Sequence, residues 1–281
     1  HPDYATSLNQ LALTYSSLGD YDKALEIFIE CLALDEEIVG KEHPYYATSL
    51  KNIATTYSKL GDYNKALEMN LECLALRERI LGKEHRDYAF SLNQLALTYS
   101  SLGDYEKALE MDLECLALTE EVYGKEHPNY ALTLNNLART YKDLGDYDKA
   151  LEIELECLAL NEKIFGKEHP NIALSLNKLA GTYSDLGEYA IALEMNLACL
   201  ALREKIYGKK HPDYTTSLNN LALTYKDLGE YDKALEMNLE CLDLEIIIGK
   251  ESGSYAMSLN NLASTYSALG DYNKALEKNL E

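Results

Sequence analysis

The 281-residue chain has no tryptophan, three phenylalanines and five prolines, and its basic residues are few. Only 26 Lys and Arg stand against 47 Asp and Glu, so the formal net charge is −21. Because nucleic acids and anionic membranes are bound by surplus Lys and Arg, this balance argues against both as partners. No apolar run approaches the roughly 18 residues of a membrane span, and the first residues do not resemble a signal peptide.

What the chain does contain is one pattern repeated along its whole length. Histidine recurs every 42 residues, at His1, His43, His85, His127, His169 and His211. A fixed period between about 20 and 50 residues indicates a solenoid of stacked units. We therefore expect one solenoid domain over 1–281, with units 1–42, 43–84, 85–126, 127–168, 169–210, 211–251 and a partial unit 252–281.

Each unit is predicted to form two helices. In the first unit, apolar residues from Tyr4 to Leu18 keep the spacing of one helical face. Gly19 stands where a helix ends in a left-handed residue, and Asp20 can cap the next helix. That second helix is expected to run from about Tyr21 to Val39. The predicted fold class is therefore all-α: a right-handed α-solenoid, or superhelix, of stacked antiparallel helix pairs.

The connection between units reads Gly-Lys-Glu-His-Pro at 40–44 and recurs with small changes in the later units. Zinc ligands must converge within about 2.0–2.3 Å of one ion, whereas successive units are separated by a helix-packing distance of roughly 8–10 Å. We therefore interpret the repeated histidine as part of a helix start and not as a metal ligand or catalytic base. No nucleophile–base pattern occurs elsewhere, so no enzyme activity, metal or cofactor is expected.

Cysteine occupies one column of the repeat, at Cys31, Cys73, Cys115, Cys157, Cys199 and Cys241. Neighbours one unit apart should exceed the roughly 7 Å Cα separation that a disulfide permits. We expect these side chains to be small buried core residues. Free thiols without a secretory signal predict a cytoplasmic protein.

The order Leu11-Ala12, Tyr15, Gly19, Tyr21, Ala24 and a small residue at Cys31 resembles the tetratricopeptide repeat, in the 42-residue form of kinesin light chains. The strings HPDYTTSLNNLALTYKDLGEYDKAL (211–235) and GKEHPNYALTLNNLARTY (124–141) carry the resemblance most clearly. One departure is the middle of the second helix, where the usual aromatic occurs only as Phe28. The resemblance implies that a partner peptide lies in a concave groove lined by the first helix of each unit.

Mapping that groove onto this sequence gives a ladder of amides and neighbouring variable columns. The ladder consists of Asn9, Lys51, Asn93, Asn135, Asn177, Asn219 and Asn260. An Asn side chain can pair with both the N–H and the C=O of an extended peptide. The alternative is that these amides bond a neighbouring helix. The variable columns supply Leu13, Phe90, Leu97, Leu132, Arg139, Lys142, Leu174 and Leu223 as further groove residues.

The groove columns hold more basic than acidic residues, unlike the remainder of the chain. This balance predicts a peptide or protein partner that is acidic and carries an apolar anchor, received by Leu13, Phe90 and Leu97, with Arg139 and Lys142 facing the acid. Two other readings stay open: an assembly or sensing arm of a larger signalling protein, such as a nucleotide-driven switch or a protease, and a designed consensus array without a natural ligand.

Two irregularities carry further expectations. The sixth unit is one residue short, which predicts a looser or re-angled join around 244–255. Exposed apolar residues at the two ends of the array, such as Leu276 and Leu280, predict end-to-end self-stacking or a longer parent chain.

Overall fold

The computed structural model of the chain describes residues 2–249 and 253–280, and every helix or strand in those ranges is an α-helix. The helices are α1 (Pro2–Ser17), α2 (Tyr21–Ile38), α3 (Pro44–Lys59), α4 (Tyr63–Leu81), α5 (Arg86–Leu102), α6 (Tyr105–Tyr123), α7 (Pro128–Asp143), α8 (Tyr147–Phe165), α9 (Pro170–Asp185), α10 (Tyr189–Tyr207), α11 (Pro212–Asp227), α12 (Tyr231–Ile248), α13 (Gly253–Ala268) and α14 (Tyr272–Leu280). The predicted all-α solenoid of helix pairs is confirmed.

The turn within each pair follows from its Gly-Asp sequence. Gly19 has φ +82°, the left-handed conformation that glycine adopts at least cost. The N–H of Asp20 donates to the carbonyl of Tyr15 at 3.0 Å, which satisfies a free carbonyl of the ending helix. A carboxylate oxygen of Asp20 then accepts the N–H of Lys23 at 3.3 Å and caps the next helix.

The connection between pairs depends on the repeated histidine, as its sequence predicted. The Nδ1 atom of His43 accepts the backbone N–H of Tyr45 at 3.2 Å, and thus takes the part that Ser or Asp often plays at a helix start. The same contact recurs at His85, His127, His169 and His211. At three of these, the imidazole also stacks on the aromatic residue four positions earlier, with ring centroids 4.3–4.6 Å apart.

Alanine and cysteine fill the tightest part of the core. Ala12, Ala24 and Cys31 are at most 1% exposed, and their small size lets the helices of a pair approach closely. The thiol of Cys73 donates to the carbonyl of Ala47 at 3.3 Å. All six cysteines are free and buried, so the prediction of core packing is confirmed. Burial raises the pKa of the Cys115 thiol to about 11, which keeps it protonated.

The departure noted in the middle of the second helix proves to be a buried polar contact between repeats. Phe28 is buried in the first pair, and its equivalents in the next five repeats are polar but almost as deeply buried. Asn70 donates to the hydroxyl of Thr98 in the following repeat at 3.0 Å, and that hydroxyl donates to the carbonyl of Gln94. A chain of hydrogen bonds thus takes the place of an aromatic side chain.

The chain divides into two compact units, His1–Asp146 and Tyr147–Glu281. These two halves are called the first and second unit below, and the 42-residue segments are called repeats. The first unit contains α1 to α7 and the second contains α8 to α14. A single domain and a right-handed superhelix stay predictions. The altered join predicted around 244–255 includes residues 250–252, which lie outside the described residues.

Candidate functional site

The predicted ladder residues lie on the first helices of the pairs and differ in exposure. Most are half-buried; Asn219 is only 2% exposed, whereas Asn260 is exposed. In the first unit, α5 and α7 contact each other directly, and in the second unit α11 and α13 do so. Ladder residues on such neighbouring helices are therefore candidates for contacting one extended segment.

Three ladder amides are bonded to an amide of the following repeat. The side-chain Nδ2 and Oδ1 pairs are Asn52 to Asn9 at 2.8 Å, Asn220 to Asn177 at 2.6 Å and Asn261 to Asn219 at 3.2 Å. Asn219 also donates to Ser258, so both ends of its amide are occupied. The Nδ2 groups of Asn9 and Asn177, and the whole side-chain amide of Asn93, have no hydrogen-bond partner among the described residues. These three ladder residues retain polar groups that a peptide could use.

Two open cavities lie beside the ladder in the first unit. The one between α1, α2 and α3 has a volume of about 290 Å³ and is lined by Thr6, Asn9 and Thr48, among others. The one between α5, α6 and α7 has a volume of about 320 Å³ and is lined by Phe90, Asn93 and Leu132. Both combine a ladder amide with residues of the column one turn before it. In the second cavity these are the predicted groove residues Phe90 and Leu132, so the structure brings members of the two predicted sets together there.

A further column, which sequence reasoning missed, contributes one buried side chain to each of these two cavities. It lies near the end of the second helix and is called the floor column below. Its members are Asp35, Arg77, Thr119, Asn161, Arg203 and Glu245, and each is at most 7% exposed. Asp35 lines the first cavity and Thr119 lines the second. One sequence signal could have revealed this column: its residue type changes between acidic, basic and neutral, whereas the neighbouring residues of the helix scarcely change.

The apolar groove residues are exposed to an extent unusual for their type. Leu132 is 59% exposed, Phe90 46% and Leu174 44%, and Leu13 and Leu223 are also exposed. Leu97 is half-buried. Among the basic residues, Arg139 is exposed and Lys142 is half-buried. The predicted apolar anchors are thus accessible, although the structure does not bring Leu13 and Phe90 into one cavity.

Other kinds of site find no support in the described part of the chain. Residues 2–249 and 253–280 contain no cluster of three His, Cys, Asp or Glu side chains that could hold a metal ion. Within the same ranges, no helix is both long and apolar enough to cross a membrane.

Stacked helix pairs with a repeating core and accessible first helices define an α-helical repeat protein. The tetratricopeptide-repeat family model matches residues 3–79, 59–121, 87–163, 145–198 and 171–245, and a second model of the same repeat matches 256–277. The chain belongs to the tetratricopeptide-repeat family, whose members generally mediate protein–protein interactions. No curated protein sequence matches it.

Solved structures share the fold and the repeat type. A candidate kinesin light chain of Podosopora anserina with nearly identical repeats is 26% identical, with a TM-score of 0.66 over 74% of this chain and 98% of that one. BtubC (BKLC) of P. vanneervenii is 22% identical, with a TM-score of 0.66 over 82% and 90%. The signal-transduction ATPase PH0952 of Pyrococcus horikoshii, with its tetratricopeptide repeat sensor, is 19% identical and has a TM-score of 0.74. That match covers 99% of this chain but 42% of PH0952. The resemblance to kinesin-light-chain-like arrays is confirmed.

Proposed function

We propose that the chain is a non-catalytic, cytoplasmic scaffold that holds an extended peptide segment of a partner protein along its first helices. The observation that carries this proposal is the cavity of about 320 Å³ between α5, α6 and α7. Its lining places the exposed rings and methyl groups of Phe90 and Leu132 beside the amide of Asn93, which has no hydrogen-bond partner among the described residues. An apolar side chain can fill such a space while the amide bonds the peptide backbone.

The composition of the surface supports a partner that is acidic or neutral and carries an apolar anchor. Acidic side chains such as Glu68 and Glu110 are exposed on the second helices, whereas the exposed Arg139 lies on the first-helix face. The local electrostatic potential therefore repels an acidic ligand less strongly at the first helices than at the second helices. Self-stacking of the array, end to end, stays a separate proposal.

The test is a peptide-display selection on the immobilised protein, beside the triple variant Asn93→Ala, Asn135→Ala, Asn177→Ala. A matched control replaces three exposed second-helix residues: Glu68→Ala, Glu110→Ala, Glu152→Ala. We expect peptides to be enriched on the parent and the control but not on the ladder variant. Enrichment that the ladder variant retains would move the binding surface elsewhere, and no enrichment on the parent would contradict the proposal.

The likeness to the repeat sensor of PH0952 favours a second candidate, a sensing arm of a larger signalling protein. Both candidates require the array to bind a partner, so they differ in what is attached to it. A phosphate loop in the parent gene upstream of this segment would favour the sensing arm, whereas a heptad repeat there would favour an adaptor. A designed array without a ligand predicts that no peptide is enriched.

A further inference from the structure

A buried carboxylate lines the cavity between α1, α2 and α3. Asp35, near the end of α2, is only 7% exposed and is one of the residues around this space of about 290 Å³. Its Oδ2 atom accepts the hydroxyl of Ser49 at 2.6 Å. Its Oδ1 atom has no hydrogen-bond partner among the described residues and is not sealed from solvent. One oxygen of a buried acid is therefore open to the cavity.

This carboxylate has no counter-ion. Asp35 forms no ion pair within residues 2–249 and 253–280, and the lysine nearest to it in the sequence, Lys41, lies 3.4 Å from Glu36 instead. Burial, and then the charge of Asp35, raise the pKa of the Cys31 thiol in the same cavity to about 11. Buried charges are normally paired, because removing an ion from water is unfavourable. A bound cation would supply the missing partner.

The walls of the cavity include apolar side chains that can cover an alkyl chain. Ile38, Val39 and Tyr45 line it, and Ile38 and Tyr45 are exposed. A long cationic side chain packs its methylene groups against such a surface while its charged end reaches a polar group. The volume is at the lower end of the range for small-molecule sites, roughly 300–1,000 Å³, so the space suits one side chain and not a large ligand.

The polar groups of the cavity match an ammonium better than a guanidinium or a metal ion. An ammonium has three N–H donors, and the Oδ1 atom of Asp35, the hydroxyl of Thr48 and the side-chain oxygen of Asn9 can accept them. A guanidinium pairs best with both oxygens of a carboxylate, but Ser49 already occupies Oδ2. A divalent metal ion needs several ligands, and the described part of the chain has no cluster of three acidic, His or Cys side chains.

We propose that the cavity between α1, α2 and α3 binds the ammonium group of a lysine side chain in the partner segment, with Asp35 as its counter-ion. The methylene groups of that lysine lie against Ile38, Val39 and Tyr45. The site deepens the proposed function, on which it rests for the segment that carries the lysine. It assigns one residue of that segment to the first two repeats, whereas the acidic preference proposed above concerns the surface near Arg139 in α7.

The cavity between α5, α6 and α7 is a matched comparison inside the same chain. It has a similar volume, about 320 Å³, and Thr119 occupies the position of Asp35. The hydroxyl of Thr119 donates to the carbonyl of Cys115 at 2.9 Å, so this position carries no charge. Arg86 also lines this second cavity, whereas the corresponding residue at the first is Pro44. A lysine side chain should therefore enter the first cavity and not the second.

The probe is the blocked pentapeptide acetyl-Gly-Gly-Lys-Gly-Gly-amide, and its binding is followed by NMR of the ¹⁵N-labelled full chain. Norleucine in place of lysine keeps the alkyl chain without the charge, and arginine keeps the charge in a different geometry. About 150 mM chloride screens the general attraction of the acidic protein for any cation beyond roughly 8 Å. The competitor is n-butylammonium, which has the charge and the methylene groups but no peptide backbone.

Asp35→Asn is the loss variant, because Asn161 stands at the same position of the fourth repeat and bonds the equivalent hydroxyl of Ser175. Without the probe, this variant should melt at a temperature equal to or higher than that of the parent, since a buried unpaired charge is gone. Glu37→Gln is the matched control: it removes the same charge from an exposed neighbour that does not line the cavity.

We expect the lysine peptide to bind the parent and Glu37→Gln about 10-fold more tightly than Asp35→Asn, as for the loss of a hydrogen bond between charged groups. Shifts should centre on Asp35, Tyr45 and Thr48, and the amides around Thr119 should stay unchanged. The norleucine and arginine peptides should bind the parent more weakly than the lysine peptide, and n-butylammonium should displace it less effectively than a second portion of unlabelled peptide does.

Equal binding of the lysine peptide by the parent and Asp35→Asn, no binding by the parent, or shifts centred on the second cavity would overturn the site. A melting temperature of Asp35→Asn below that of the parent would contradict an unpaired charge. Binding of the arginine or norleucine peptide as tight as that of the lysine peptide would refute the preference for an ammonium. Displacement by n-butylammonium as effective as by the peptide would refute the assignment to a lysine of a partner.

Failure of this site and failure of the proposed function remain distinguishable. Binding of the lysine peptide without any display-selected peptide would refute the scaffold alone. A display-selected peptide whose binding is the same on the parent and Asp35→Asn would refute the site alone.

Discussion

Replacing Asp112 by Asn should stabilise the protein near neutral pH. Asp112 is fully buried; its Oδ2 accepts the hydroxyl of Thr140 at 2.6 Å, and its Oδ1 has no hydrogen-bond partner. The equivalent residue one repeat earlier is Asn70, whose amide donates to Thr98 while that hydroxyl donates onward to a carbonyl. An Asn at position 112 can adopt the same arrangement, so the substitution removes a buried charge without leaving a new group unpaired.

The magnitude follows from the pKa of the carboxyl. Burial raises the pKa of Asp112 from 3.8 to about 6, although the hydrogen bond from Thr140 and the charge of Arg139 act in the opposite direction. Because the folded pKa lies above the unfolded one, the folded state binds more protons between these values, and its stability falls as pH rises. Linkage gives a cost of about 3 kcal/mol near pH 7, about half of that near pH 5 and almost none near pH 3.

The assay is chemical denaturation of the parent and Asp112→Asn at several pH values, fitted with a nearest-neighbour repeat model because such arrays need not unfold in one step. Hydrogen exchange of amides in α6 and α7 reports the same difference locally. The reverse change, Asn196→Asp, places a carboxyl at the equivalent buried site beside Thr224 and should destabilise the second unit increasingly as the pH rises above about 4. A difference between parent and Asp112→Asn that does not grow with pH would refute the reasoning.

Three further predictions concern the scaffold. His127→Ala should lower the free energy of unfolding by about 1 kcal/mol through loss of the helix cap, and His127→Asn should restore most of it; denaturation curves that place the two variants together would contradict the capping role. The six thiols should resist a disulfide reagent at pH 8 in the folded protein and react after unfolding, since the pKa of Cys115 is raised to about 11; rapid reaction of the folded protein would count against this. Gly103→Ala should cost about 1 kcal/mol, because φ is +80° there although open space surrounds the added methyl; an unchanged melting temperature would argue against strain.

The fold was predictable because its signals are local and occur many times over. Helix periodicity, Gly19 and Asp20 each depend on neighbours within one or two turns, and the 42-residue period repeats each signal. The polar contacts between repeats depend on distant residues instead. Asp112 meets Thr140, which lies 28 residues later and in the next pair. No helical period relates two such positions, so the sequence showed the polar substitution but not its burial or its partner.

For the candidate site, too, the features that depend on local sequence were predictable, and those that depend on distant contacts were not. The ladder and the exposed apolar residues followed from one helix face, and the structure places Phe90 and Asn93 in one cavity. The floor column was missed because it lies on the second helix, in a stretch that the sequence presents as core. Recognising that Arg77 contacts a first helix requires knowing that the end of α4 packs beside the start of α5, as its bond to the carbonyl of Asp87 shows.

The floor column varies freely because the residue that meets it is a hydroxyl. Ser49 donates to the carboxylate of Asp35 at 2.6 Å, whereas Ser91 accepts from the guanidinium of Arg77 at 2.8 Å. In the second unit, Ser175 accepts from the amide of Asn161 at 3.1 Å. A hydroxyl is both donor and acceptor and rotates to suit its partner, so the charge at the cleft floor can change sign without moving the backbone. Nearly identical repeats can therefore present different chemistry at this column, as the proposed scaffold would require in order to contact different positions of one partner segment.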